Sequence, residues 1–74
     1  MVVEIRLFAT LRNGRFKRQE MSLEEMATPR MIIELLEIDL DDVAILLVNG
    51  RDGQLDQPLV NEDRVSIFPP VGGG

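Results

Sequence analysis

The chain has 74 residues, which is enough for one small domain and too few for a second hydrophobic core. It contains no cysteine, histidine, tyrosine or tryptophan, so disulfides, the common zinc ligands and the Cys–His or Ser–His catalytic pairs are excluded. Its formal net charge of −5 argues against nucleic acid or an anionic membrane as a partner. With no long apolar run and no signal peptide, we expect a soluble cytoplasmic domain without a metal site or a self-contained catalytic centre.

The first third of the chain predicts a β-hairpin. In residues 2–8 (VVEIRLF), apolar and polar positions alternate as in a half-buried strand, whose inward side chains are Val3, Ile5 and Leu7. Asn13-Gly14 is a strong turn signal. Residues 16–21 (FKRQEM) then predict an antiparallel return strand.

A short helix is predicted to begin at Thr28-Pro29. Thr28 is a favourable N-cap, and Pro29 suits the first helical position, where its missing N–H has no partner to lose. The helix is expected to end near Glu37 or Ile38. Its core face is predicted to contain Ile32, Leu35 and Leu36, with Ile33 at the margin.

Two further strands are predicted in the second half of the chain. Residues 44–48 (AILLV) form a continuous apolar run before the turn at Asn49-Gly50, which is typical of a central strand covered on both faces. Residues 65–68 (VSIF) predict the last strand, with Val65 and Ile67 facing inwards.

Together these elements predict an α+β fold in which one helix packs across a mixed sheet of four or five strands. With the first and last strands paired at the centre of the sheet, this is a β-grasp, or ubiquitin-like, roll. Residues 1–74 are expected to form a single domain, in which residues 69–74 are an extended, flexible tail.

Phe8 and Phe68 fall on the outer, polar face of the predicted sheet, each at the end of its strand. If those strands are neighbours, the two rings lie together. They then either fold over the sheet edge to cap the core or form an apolar patch for a partner. Because Phe68 leads directly into the tail, we favour a partner surface.

The tail itself suggests chemistry at its end. Pro69-Pro70 ends the last strand and enforces an extended path, and Val71 adds an apolar contact. Without side chains, Gly72, Gly73 and Gly74 can thread a narrow channel. The reactive group there is the α-carboxylate of Gly74, which adenylation by ATP would turn into an acyl donor.

Four segments carry a family resemblance: IRLFATLR (5–12), LLVNG (46–50), QPLVNEDRVSIFPP (57–70) and the final Gly73-Gly74. They resemble the MoaD/ThiS family of ubiquitin-like sulfur carrier proteins. Within it they are most similar to the MoaD branch, the small subunits of molybdopterin synthase. Gly72 departs from the usual ending of one non-glycine residue before the di-glycine, and in this respect the tail is closer to ThiS.

The resemblance implies that activation, sulfur donation and sulfur transfer are carried out by different proteins. An E1-like adenylating enzyme of the MoeB/ThiF type would use ATP to activate the Gly74 carboxylate, and a persulfide donor would convert it to a thiocarboxylate. The carrier, which binds no cofactor itself, would insert its tail into a large synthase subunit of the MoaE type. It would there give sulfur to a pterin precursor in molybdenum or tungsten cofactor biosynthesis. Phe8, Phe68 and, by its position in the matched segments, Leu59 would form the partner surface.

Three alternatives stay open. The sulfur acceptor could be the thiazole of thiamine or an activated serine on the way to cysteine. The chain could be a ubiquitin-like modifier whose tail forms isopeptide bonds, or a plain interaction module with an idle tail. Carrier and modifier share the activation step, so only their products separate them.

Basic residues are concentrated in the first half of the chain, whereas acidic residues lie mainly after position 33. This asymmetry either steers an acidic partner surface or is an ordinary solvated face. The residues that make the first half basic include Arg12, Arg15, Lys17, Arg18 and Arg30.

Overall fold

The computed structural model describes residues 1–70, which form a five-stranded mixed sheet packed against one short α-helix. The strands are β1 (Val2–Leu7), β2 (Arg18–Ser22), β3 (Ile45–Val48), β4 (Arg51–Asp52) and β5 (Arg64–Phe68), and the helix is α1 (Pro29–Leu35). Two 3₁₀ helices, Ala9–Arg12 and Leu40–Asp42, lie in the connections. Within residues 1–70, no helix is long and apolar enough to cross a membrane.

The strand order is β2-β1-β5-β3-β4, so the first and last strands lie next to each other inside the sheet. β1 and β5 run parallel, with Ile5 opposite Val65 and Leu7 opposite Ile67. β2 flanks β1, and β3 flanks β5, both in antiparallel orientation. The predicted β-grasp arrangement is therefore confirmed.

One face of the sheet packs on α1 and forms a single hydrophobic core. The inward residues predicted for the outer ends of the chain are confirmed, since each is 0% exposed: Val3, Ile5, Leu7, Val65 and Ile67. The helix and the connections complete this core with Leu11, Ile32, Ile33, Ile38, Val48 and Leu59.

α1 begins where it is predicted to begin but turns a different face to the core. Ile33 is fully buried and Leu35 is 61% exposed, so the prediction for these two residues is wrong. The reason is Pro29, which is itself buried and sets the helical stripe at Pro29, Ile32, Ile33 and Leu36. This spacing of i, i+3, i+4 and i+7 is the usual pattern of a core-facing helix.

The C-terminal end of α1 is closed by a Schellman motif. The Ile38 amide donates to the Ile33 carbonyl at 3.0 Å, and the Glu37 amide donates to the Glu34 carbonyl at 3.0 Å. Glu37 occupies the left-handed position of this motif with a φ of 56°. A residue with a side chain is strained there, because glycine alone adopts that conformation freely.

Arg15 joins this helix end to the connection that follows β1. Its guanidinium donates to the carbonyl of Leu36 at 3.1 Å and to that of Glu37 at 3.2 Å. It also donates to the carbonyl of Leu11 at 3.1 Å. One side chain thus satisfies three carbonyl groups from two separate helical turns.

β3 is not covered on both faces, contrary to the prediction. Leu46 and Val48 pack towards the core, whereas Ile45 is 48% exposed on the outer face. The sheet has a helix on one side only, so an apolar run in β3 supplies both the core and the surface. β3 then turns through Asn49-Gly50, whose φ values of 55° and 82° are those of a type I′ hairpin.

Candidate functional site

Phe8 and Phe68 stack on the outer face of the sheet, and we refer to them as the aromatic pair. Their ring centroids lie 4.0 Å apart, and their planes are inclined by 11°. Leu7 and Ile67 are opposite each other in the parallel β1–β5 pairing, so the residues that follow them emerge side by side. Both rings are half-buried, and the predicted proximity of the two aromatic residues is confirmed.

The backbone after β1 holds Phe8 in this position. Phe8 keeps an extended conformation with φ −127° and ψ 151°, and Ala9 then adopts a φ of 51° as the chain enters the 3₁₀ helix. Arg12 reaches back from that helix, and its Nε donates to the Leu7 carbonyl at 2.8 Å. The Arg12 guanidinium lies over the Phe8 ring, 5.4 Å from its centroid, in a cation–π arrangement.

The exposed apolar surface continues from the aromatic pair onto β3. Ile45 lies opposite Phe68, and Leu47 lies opposite Ser66, in the antiparallel β3–β5 register. Because alternate residues of a strand share a face, Ile45 and Leu47 point to the same outer side as Phe68. We call these four residues, Phe8, Ile45, Leu47 and Phe68, the outer-face patch.

Sequence reasoning misses Ile45 and Leu47, because the apolar run of residues 44–48 predicts complete burial. The available signal is alternation: once β3 is paired with β5, every second residue of the run must face away from the helix. Apolar side chains beside two aromatic rings are the residue types that are enriched at protein–protein interfaces.

The structure places Leu59 in the core and not on the outer-face patch. Its side chain is 2% exposed, and its amide donates to the Ala27 carbonyl at 2.8 Å. A residue this deeply buried cannot contact a partner while the domain stays folded. The assignment of Leu59 to the partner surface is therefore corrected, and the residue belongs to the core.

The outer-face patch lies where the chain leaves the sheet. The Phe68 carbonyl accepts a hydrogen bond from the Ala44 amide at 2.8 Å, so β5 remains paired up to its last residue. Pro69 is half-buried and Pro70 is exposed. Pro70 is the one predicted threading residue within residues 1–70, whereas the predicted threading residues Val71, Gly72 and Gly73 and the predicted reactive residue Gly74 lie outside the described residues.

Residues 1–70 contain no group of three or more histidine, cysteine, aspartate or glutamate side chains that could hold a metal ion. The one buried carboxylate in this part of the chain, Asp63, is used structurally. It accepts from the Asn49 side-chain amide at 2.8 Å and from the Val60 amide at 2.9 Å. Asn49 in turn accepts from the Arg64 amide at 2.9 Å, which fastens the β3–β4 turn to β5.

A family model described as the ThiS family matches residues 5–74, and the chain therefore belongs to this family. The match includes IRLFATLR and the final glycines, so the MoaD/ThiS resemblance seen in the sequence is confirmed. No curated protein sequence matches the chain significantly.

Solved structures share the fold over nearly the whole chain. The putative molybdopterin converting factor, subunit 1, from Pyrococcus furiosus is 32% identical, with a TM-score of 0.78 over 96% of this chain and 99% of that one. A chain in the complex of subunits 1 and 2 of molybdopterin-converting factor from Helicobacter pylori is 25% identical, with a TM-score of 0.67 and complete coverage of both chains. Small archaeal modifier protein 1 from Haloferax volcanii is 23% identical, with a TM-score of 0.78 over 95% of this chain and 98% of that one. These similarities establish a ubiquitin-like fold of the MoaD/ThiS type.

Proposed function

We propose that this protein is a sulfur carrier that supplies a pterin precursor in molybdenum or tungsten cofactor biosynthesis. The observation that carries the proposal is the aromatic pair, because it forms an apolar surface at the point where the tail leaves the sheet. Family membership over residues 5–74 and the similarity to a molybdopterin converting factor subunit support the same function.

In this proposal the chemistry takes place at Gly74. The carboxylate attacks the α-phosphate of ATP on an E1-like enzyme. Pyrophosphate is released, and Gly74 becomes an acyl-adenylate. A persulfide sulfur then attacks the carbonyl carbon and expels AMP. Cleavage of the resulting S–S bond by a thiol, which becomes part of a disulfide, leaves the thiocarboxylate. None of these steps needs a nucleophilic side chain on the carrier, which agrees with a chain without cysteine or histidine.

The partners recognise the folded domain through the outer-face patch. An aromatic anchor beside aliphatic side chains is the type of surface that concentrates binding energy in a protein interface. The adenylating enzyme and a large synthase subunit of the MoaE type both need the tail in their active sites, so they bind in turn. The assembly of subunits 1 and 2 of the Helicobacter pylori factor supports a two-subunit synthase.

The first test is the intact mass of the protein after incubation with a cognate E1-like enzyme, ATP and a persulfide donor. We expect a species heavier by one oxygen-to-sulfur exchange, mapped to Gly74 by fragmentation. A variant that lacks Gly74 should keep its unmodified mass under the same conditions. An unchanged mass for the wild type, while the enzyme activates another carrier, would refute the proposal.

The same experiment separates the carrier from a modifier. A carrier gives a thiocarboxylate on the free protein, whereas a modifier gives conjugates that survive reducing denaturation. Delivery to a pterin precursor is tested by adding that precursor together with the large synthase subunit and following loss of sulfur from the carrier. Retention of sulfur in that assay, with transfer to a thiazole or cysteine precursor, would reassign the acceptor.

A further inference from the structure

Two pairs of like charges face each other across the β1–β2 hairpin. Arg6 lies opposite Arg18, and Glu4 lies opposite Glu20. Like charges directly opposite each other on neighbouring strands destabilise a sheet. Glu4 and Arg6 offset each other along β1 through a salt bridge, but Arg18 and Glu20 form no salt bridge within residues 1–70, so the stability of the hairpin does not explain the positive charge at Arg18.

The arginine end of the hairpin borders a groove beside the aromatic pair. The chain has eight basic residues and a net charge of −5, yet four of the eight line this one groove. Phe8 belongs both to the groove and to the outer-face patch, so the two surfaces are continuous. We call this the basic groove, and its lining residues are Arg6, Phe8, Arg12, Lys17 and Arg18.

Three of the four cations of the basic groove are available to an external anion, whereas Arg6 is already paired with Glu4 on the same strand. Arg12, Lys17 and Arg18 are exposed, and none of them forms a salt bridge within the described part of the chain. Arg12 is also held in place, by its bond to the Leu7 carbonyl and by its position over Phe8. An arginine that is fixed before binding loses less conformational entropy when it meets a carboxylate.

The glutamate end of the same hairpin has the opposite charge. A second groove there is lined by Glu4, Glu20 and Glu62, together with Val2 and Asn61. The outer face of the hairpin is therefore polarised, with its positive end beside the aromatic pair. A surface polarised in this way orients an incoming protein and suppresses the reversed orientation.

We propose that the basic groove binds a carboxylate-rich segment of the protein that docks on the outer-face patch. This inference rests on the proposed function, and it identifies the chemistry that the partner presents next to its apolar contact with Phe8 and Phe68. The continuity of groove and patch favours a protein partner, and the net negative charge of the chain disfavours nucleic acid. Carboxylates over the groove would supply Arg12, Lys17 and Arg18 with the ion-pair partners that they do not have within residues 1–70.

The test is the affinity of the full chain for a cognate E1-like adenylating enzyme, measured by calorimetry at several salt concentrations. Arg18→Glu turns the Arg6–Arg18 pair into an opposite-charge pair, so its melting temperature should equal or exceed that of the wild type. Its affinity should nevertheless fall about tenfold or more at low salt, because attraction becomes repulsion. This loss should shrink as the salt concentration rises.

Arg51→Glu is the matched control. It makes the same change in net charge, but Arg51 is an exposed residue of β4, at the opposite edge of the sheet from β2. At about 0.15 M salt its affinity should stay within about twofold of the wild type, because the Debye length is then about 8 Å and a distant exposed charge is screened. Equal losses for Arg18→Glu and Arg51→Glu would mean that net charge alone matters and would overturn the inference.

Two other outcomes also decide the matter. If the wild type fails to bind the enzyme at all, the proposed function fails, and this inference fails with it. If the wild type binds and inorganic phosphate occupies the groove without competing with the enzyme, the groove is a small-anion site, and only this inference is overturned. If the enzyme displaces phosphate from the groove, as followed by the NMR signals of the backbone amides of the groove residues, the inference is supported.

Discussion

The rings of Phe8 and Phe68 stack 4.0 Å apart although their residues lie near opposite ends of the chain. Parallel pairing of β1 and β5 brings them together, and the 3₁₀ helix after β1 keeps Phe8 on the outer face. The pair is half-buried, so part of its apolar surface stays available to a partner.

Phe68→Ala is expected to lower the free energy of unfolding by about 2 kcal/mol, because it removes both the stacking with Phe8, worth about 1 kcal/mol, and the buried half of the ring, worth about 1 kcal/mol. Ile67→Ala, one residue earlier and fully buried, should lower it by about 2–5 kcal/mol. Urea unfolding measures both values. Binding to the E1-like enzyme should be lost mainly in Phe68→Ala at temperatures where both variants are folded. If Phe68→Ala unfolds the protein, the aromatic pair is a core element, and the docking role of Phe68 is wrong.

Glu37→Gly should stabilise the protein by about 1 kcal/mol. Glu37 has a φ of 56° at the end of α1, and a left-handed conformation costs a residue with a side chain about 1–2 kcal/mol relative to glycine. Its backbone bonds do not depend on the side chain. Thermal unfolding should show a rise of several degrees for a domain of this size. The control is Glu34→Gly within α1, which should lower the melting temperature. A decrease in both variants would contradict this account of the helix end.

Arg15→Ala should destabilise the protein by about 1–3 kcal/mol, because the carbonyls of Leu11, Leu36 and Glu37 lose a charged donor. Lys17→Ala is the control, since Lys17 is an exposed side chain in the same connection, and it should stay within about 0.5 kcal/mol of the wild type. Chemical denaturation compares the two. If Arg15→Ala changes the free energy of unfolding no more than Lys17→Ala does, water hydrogen-bonds to the three carbonyls as well as Arg15 does.

The pair formed by Arg30 and Asp56 predicts a pH dependence. Hydrogen bonds of 2.8 and 3.1 Å from the Arg30 guanidinium lower the pKa of Asp56 and raise the pKa of Arg30. A carboxyl whose pKa is lower in the folded state stabilises the fold above its unfolded pKa, and this contribution is lost as the pH falls through the folded value. Asp56→Asn should therefore be slightly less stable than the wild type at neutral pH, by a small amount because the pair is exposed.

In acid, that difference should begin to shrink near the ordinary aspartate pKa of about 4 and should disappear once the pH lies below the lowered pKa of folded Asp56. Denaturation curves recorded from neutral pH to strong acid measure it, and Asp52→Asn on β4 controls for the loss of one exposed carboxylate. A gap between wild type and Asp56→Asn that grows in acid would contradict the assigned direction of the pKa shift.

The features that the sequence predicts correctly depend on local chemistry. The alternation in VVEIRLF fixes which face of β1 is buried, and Val3 and Ile5 are fully covered. Thr28 and Pro29 define the start of α1 through capping and ring geometry, which need only neighbouring residues. The proximity of Phe8 and Phe68 follows once β1 and β5 are paired.

The features that it misses depend on tertiary packing. The phase of α1 is set by burial of Pro29, so Leu35 faces outwards although it fits a helical stripe equally well. Ile45 is exposed because residues 1–70 provide a helix on only one face of the sheet. Leu59 enters the core through a connection without regular structure, where no periodicity indicates which side chain turns inwards.

The parallel pairing of β1 with β5 also links recognition to completion of the fold. Phe68 meets Phe8 only after β5 has inserted between β1 and β3, which requires most of the intervening chain to be in place. An unfolded copy therefore has the glycine ending but not the surface that accompanies it. An activating enzyme that requires both the glycine ending and the aromatic pair would not bind such copies. Only folded copies would then be adenylated, and no ATP would be consumed on unfolded ones.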